Sequence, residues 1–125
     1  MIKSIYMTTA NTSTSTLHAF KAAFFKALSH PLRLAILDAL RDGEKSVGLL
    51  VAKLGVEQPV VSQQLSILRQ RGFVEARKEG TVVFYSVIDP DVYAFLDLGR
   101  AIFERQLAQA GTVLAQLRKE SGVQP

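Results

Sequence analysis

Apolar side chains return every three to four residues along most of this chain and every second residue in one stretch. Leu17, Phe20, Phe24, Ala27 and Leu28 form the first helical run. Ser29-His30-Pro31 interrupts it with a proline suited to a new first turn. A second helix is predicted over Pro31 to Arg41, burying Leu32, Ile36, Ala39 and Leu40 and turning Arg33, Asp38 and Arg41 outward. Asp42-Gly43 stops it. Val47, Leu50, Val51 and Leu54 mark a short helix capped by Ser46 and ended by Gly55, and a further helix opens at Gln58 and stops at Gly72. From Phe73 the period shortens: Phe73 to Lys78 and Thr81 to Val87 read as strands joined at Glu79-Gly80, with Val83, Tyr85 and Val87 on one face. Asp89-Pro90 supplies a cap and a first-turn proline for a last helix carrying Val92, Phe95, Leu96, Ile102, Phe103, Leu107, Val113, Leu114 and Leu117. Gly99 and Gly111 are the positions where that helix would bend or break.

Two helices separated by a few residues and followed by a hairpin make a helix-turn-helix with a wing. The fold class expected is therefore mainly α with a small β-hairpin, a winged helix-turn-helix in the order α-α-α-α-β-β-α. At about 100° per residue, Gln58, Pro59, Ser62, Gln63, Ser66, Arg69 and Gln70 fall within an arc of roughly 140°. Val61, Leu65 and Leu68, with Val60 and Ile67, fill the opposite side. The polar arc holds amides, hydroxyls and one arginine but no acid, which suits hydrogen bonding to base edges beside phosphates. Gln58, Pro59, Ser62, Gln63 and Ser66 are the base contacts this predicts. Lys53, Arg69, Arg71 and the wing residues Arg77, Lys78 and Thr81 are the predicted contacts to the DNA backbone. An ordinary solvated helix face, and a hairpin with ordinary surface charge, are the alternatives for the same residues.

Residues 1–16, rich in Ser, Thr and Asn, are expected to be a flexible tail, 17–119 the winged domain, and 120–125 a C-terminal tail. The apolar stripes on the first and last helices exceed what a small winged core needs. Leu17, Phe20, Phe24, Phe95, Ile102, Phe103, Leu107 and Leu114 are therefore assigned to a homodimer interface. A chain of 125 residues, 48% of them apolar, suits one domain, and a net charge of +4 is compatible with a polyanionic partner. The absence of cysteine excludes disulfides, thiolate metal sites and thiol redox sensing. No apolar run approaches the roughly 18 residues of a membrane span, and the start lacks the features of a signal peptide, so the expected location is the cytoplasm, with no membrane partner.

Ala27-Leu28-Ser29-His30-Pro31-Leu32-Arg33-Leu34, Leu54-Gly55-Val56, Val61-Ser62-Gln63-Gln64-Leu65, Leu68-Arg69-Gln70-Arg71-Gly72-Phe73-Val74 and the Gly80 to Tyr85 strand together resemble the ArsR/SmtB family of bacterial winged-helix regulators. The resemblance covers roughly Phe25 to Pro90. It implies a symmetric homodimer, built on first and last helices, that binds an inverted-repeat operator in double-stranded promoter DNA as a repressor and releases it on a signal. Three departures stand out. Ser46-Val47-Gly48 occupies the place of the Cys-Val-Cys metal box. Glu57 stands where the family usually has Ser, and Gln64 where it usually has His. Glu57 either accepts from a cytosine amino group or weakens backbone binding.

Zinc, nickel and cobalt sensors of the family use His and carboxylate pairs on the last helix, whereas the histidines here are His18 and His30. Asp91, Asp97 and Glu104 lie on that helix without an imidazole. No metal site and no cofactor is expected. His30 reads as a capping or packing residue, and His18 as a lone imidazole. The effector is left unassigned, with a small molecule, a partner protein, an unconventional metal site and the protein's own concentration as the alternatives for the signal. Phe20, Phe24, Phe25, Phe95 and Phe103 read as core or interface, with a pocket for a small apolar effector as the alternative. A winged-helix module that binds protein is the competing function. No nucleophile and base constellation or Gly-rich phosphate loop supports an enzyme.

Overall fold

His30 and Pro31 start a helix for separate reasons. Proline needs no backbone donor in a first turn, and His30 Nδ1 accepts from the Leu32 amide at 3.1 Å, so the histidine caps the helix as expected. The structure is a computed structural model and describes the backbone of residues 9–122 and the side chains of 14–122. Its elements are α1 (Thr9–Leu28), α2 (Pro31–Ala39), β1 (Lys45–Ser46), α3 (Val47–Leu54), α4 (Gln58–Gln70), β2 (Val74–Glu79), β3 (Val82–Val87) and α5 (Asp91–Ser121). The described residues fall into two units, one ending at Ile88 and the other beginning at Asp89.

In the first unit, α2 and α3 pack against α4, and the sheet has the order β1-β3-β2, antiparallel throughout. The fully buried side chains are Ile36 and Leu37 of α2, Leu50 of α3, Val61, Leu65 and Leu68 of α4, and Val74 of β2. Each such burial contributes about 1.5–3 kcal/mol. Phe24 of α1 lies against buried Phe73, with ring centroids 5.2 Å apart.

Several expectations need correction. Helix α1 begins at Thr9, ahead of the helical start expected near Leu17; no glycine or proline interrupts 9–28, and extending a helix is easier than nucleating one. The rest of the expected N-terminal tail, residues 1–8, lies outside the described residues. At the other end α5 runs through Lys119 to Ser121, and the Gly122 amide donates to the Arg118 and Lys119 carbonyls. Residues 123–125 lie outside the described residues. Neither Gly99 nor Gly111 breaks α5, because glycine, unlike proline, removes no helical hydrogen bond.

Strand β1 was not expected. It pairs Lys45 with Tyr85 and Ser46 with Phe84, and two residues are too few to show a period. The hairpin turn is Gly80-Thr81, one position later than expected: Glu79 pairs with Val82, and a positive φ of 63° at Gly80 suits the first position of a tight turn. The inward face of α4 centres on Val61, Gln64, Leu65 and Leu68, which leaves Val60 exposed. In α2, Leu37 is buried and Leu32 only half-buried, because two helices pack against α2 and widen its inner face.

Candidate nucleic-acid interface

Ser46 Oγ accepts from the Leu49 amide at 3.1 Å and starts α3. Gly55 ends it in the left-handed conformation, φ 66°, its amide donating to the Val51 carbonyl at 2.9 Å. The chain can therefore turn and begin α4 within a few residues. Pro59 lies in the first turn of α4, and Glu57 caps it only through its carbonyl, which accepts from Val60 and Val61; its carboxylate makes no capping bond.

Helix α4 presents Gln58, Pro59, Gln63, Ser66, Arg69 and Gln70 exposed, with Ser62 half-buried at the edge of the core. The side chains of Gln58, Ser62, Gln63 and Ser66 form no hydrogen bond with other described residues. One helix face thus carries donors and acceptors uncommitted within the fold, without a carboxylate among them. Lys53, near the end of α3, and Arg71, the C-cap of α4, are exposed cations without an ion pair among the described residues.

Two residues that sequence reasoning undervalued hold this helix. Arg33 was expected to face out. Instead its Nε donates to the Ala27 carbonyl at 2.6 Å and its Nη1 to Gln64 Oε1 at 2.8 Å, while Nη2 lies 3.5 Å from the Lys26 carbonyl. Gln64 is the buried polar residue in the middle of α4. The arginine therefore joins the last carbonyls of α1 to the inner face of α4. A glutamine in phase with Val61, Leu65 and Leu68 is the signal that pointed to such a partner.

On the wing, Lys78 and Thr81 are exposed, and Lys78 has no ion pair among the described residues. Arg77 is committed. Its Nε and Nη2 donate to Glu44 at 3.0 and 2.8 Å, its Nη1 donates to Glu79 at 3.0 Å, and its guanidinium lies 4.7 Å over the Phe84 ring. The hydrogen bond from Arg77 holds the Glu44 carboxyl below the usual carboxylate range, and Glu44, then Glu79, hold Arg77 even more firmly protonated. Nothing in the sequence singles out Glu44, since an acid in an Asp-Gly-Glu-Lys turn looks like ordinary surface.

The expected interface residues are divided between the units. On α1, Leu17 and Phe20 are exposed, while Phe24 is half-buried against Phe73. On α5, Phe95, Ile102, Phe103, Leu107 and Leu114 are all exposed. A groove of about 280 Å³ brings Phe20 and Phe24 together with Phe73, Gln70 and Arg71. Among the described residues no group of His, Cys, Asp and Glu is arranged to hold a metal ion, and no helix is long and apolar enough to cross a membrane.

A recognition helix on a helix-turn-helix, flanked by a hairpin wing, defines a winged helix-turn-helix DNA-binding transcriptional regulator. Residues 30–76 match the sequence profile of the bacterial regulatory proteins of the arsR family. The chain is 42% identical over 103 residues to the HTH-type transcriptional regulator Rv0081 of Mycobacterium tuberculosis, covering 82% of this chain and 90% of that one. The crystal structure of Rv0081 superposes with a TM-score of 0.69 at 40% identity, covering 75% of this chain and 95% of that chain. The homodimeric winged helix-turn-helix DNA-binding domain Mb0332 of Mycobacterium bovis, solved by NMR, gives a TM-score of 0.67 at 32% identity over 77% of this chain and 89% of that one. A biofilm growth-associated repressor of Agrobacterium fabrum is 42% identical over 82 residues, 66% of this chain and 70% of its own length. The chain belongs to the arsR family of bacterial regulatory proteins.

Proposed function

We propose that this regulator is a homodimeric repressor that occupies an inverted-repeat operator and lowers transcription by excluding other proteins from it, without catalysis, inside the cytoplasm. The observation that carries this reading is the exposed, acid-free polar face of α4. Two such helices related by a twofold axis enter successive major grooves about 34 Å apart. Gln58, Pro59, Ser62, Gln63 and Ser66 read base edges, and a glutamine amide suits the paired donor and acceptor of adenine. Lys53, Arg69, Arg71, Lys78 and Thr81 meet the sugar-phosphate backbone. The exposed stripes of α1 and α5 join the protomers; the homodimeric M. bovis relative supports a dimer, and the repressor relatives support repression.

The test is binding to the chain's own upstream DNA against a scrambled duplex, followed by fluorescence anisotropy at several salt concentrations. The expected preference is on the order of a thousandfold, with a steep salt slope. Gln63→Ala is expected to lose about 1–3 kcal/mol on the upstream site and little on the scrambled one. Lys78→Ala weakens both alike and takes about one from the salt slope. Equal effects of both variants on both duplexes would overturn the assignment of base and backbone roles.

A further inference from the structure

The wing's one intimate cluster of charges lies on a strand interior. Arg77 faces Phe84 across the β2–β3 ladder, and Phe84 in turn faces Ser46 across the β3–β1 ladder. Strands in a sheet lie about 4.8 Å apart, so a side chain from β2 that reaches the residue preceding β1 must cross the whole of β3. Arg77 does so over the Phe84 ring and ends in a two-pronged contact with Glu44. Glu44 is followed at once by β1, and Ser46 is both the end of β1 and the cap of α3.

We propose that Arg77 is a positioning residue of the wing and not a phosphate ligand, strapping β2 across β3 to Glu44 and so fixing the hairpin against the helix-turn-helix. This rests on the DNA-binding reading and refines its backbone contacts. Three nitrogens of the guanidinium are already bound to carboxylates. The cluster sets one positive charge against the two negative charges of Glu44 and Glu79, so it offers a phosphate no net attraction. The forked geometry and the ring beneath it suit a fixed planar group more than a mobile point charge. Backbone contact from β2 then falls to the next residue, Lys78, which alternation places on the other face of the strand.

The decisive variants of the full chain are Glu44→Gln, Arg77→Gln, Arg77→Lys and the double Glu44→Gln/Arg77→Gln. Two readouts apply: anisotropy on the upstream duplex across a salt series, and amide hydrogen exchange of the wing without DNA. Each single variant is expected to weaken binding by roughly two- to fivefold with the wild-type salt slope, and the double to be no weaker than Arg77→Gln alone. Arg77→Lys should resemble Arg77→Gln, since an ammonium keeps the charge but loses the fork. Wing amides should exchange faster in every one of these variants. A tighter Glu44→Gln variant would overturn the proposal, as would an Arg77→Lys variant that binds like the wild type. So would an Arg77→Gln change that removes about one from the salt slope, or wing exchange unaltered in any of the three single variants. Failure of the wild type to prefer upstream over scrambled DNA would sink the regulator reading instead, and hydrogen exchange alone would then decide the strap.

Discussion

A glutamine pointing into a helical core must find a partner or leave a polar group stranded, at about 1–3 kcal/mol. Gln64 finds Arg33, which also donates to the Ala27 carbonyl in the last turn of α1. Arg33→Ala is therefore expected to lower stability by about 1–3 kcal/mol in urea denaturation. Adding Gln64→Ala to that variant should lose less than the same change does in the wild type, because the two share one interaction. Strict additivity would contradict the link. Neither residue's part was fully legible. On a helical wheel Arg33 falls on the polar side of α2, and the side chain folds back because its acceptors come from α1 and α4, which the wheel of a single helix does not contain. The part played by Glu44 is hidden from the sequence for a related reason, since its partner lies beyond another strand. The outward residues of α4 were legible because the same apolar period that fixes Val61, Leu65 and Leu68 inside fixes Gln63 and Ser66 outside.

At the scale of elements, two glycines behave oppositely under one substitution. Gly55 holds a left-handed backbone with open space where a Cβ would stand, so Gly55→Ala loses only backbone energy, about 1–2 kcal/mol. Gly111 lies within continuous α5, also with open space, so Gly111→Ala should gain roughly 0.5–1 kcal/mol of helix stability. Thermal unfolding of both variants checks the pair, and the same sign for both would contradict the assigned conformations. The wing adds a dependence on acid. Because Arg77 lowers the Glu44 carboxyl in the folded protein, the strap's contribution is fully present above the ordinary glutamate range and is lost as pH falls through the lowered folded value. Wing amide exchange corrected for its intrinsic pH dependence should therefore stay level from neutral to mildly acidic solution and rise only in stronger acid; a rise near neutral pH would implicate another group. The helices and hairpin were readable because their signals are local. Strand β1 was not, since two residues become a strand only through Phe84 and Tyr85, far along the chain. The start of α1 was hidden by a Ser/Thr tract that carries no apolar period.

At the scale of the whole molecule, the question is what the long apolar stripe of α5 is for. Phe95, Ile102, Phe103, Leu107, Val113, Leu114 and Leu117 are each more than a third exposed, and large side chains repeated on one helix seldom stay in water without a function. On the homodimer reading, a second copy covers them and sets the spacing of the two α4 helices, so that operator affinity is the product of two linked half-site contacts. Leu107→Asp/Leu114→Asp places a charge in that surface and should yield a monomer by sedimentation, with helix content retained by circular dichroism. Operator affinity should then fall at least about a hundredfold, because the second half-site contact is no longer tethered to the first. A variant that stays dimeric would move the interface elsewhere on the chain. A monomer that still binds the operator at full strength would show instead that one α4 and its wing suffice, and that the stripe serves a different partner.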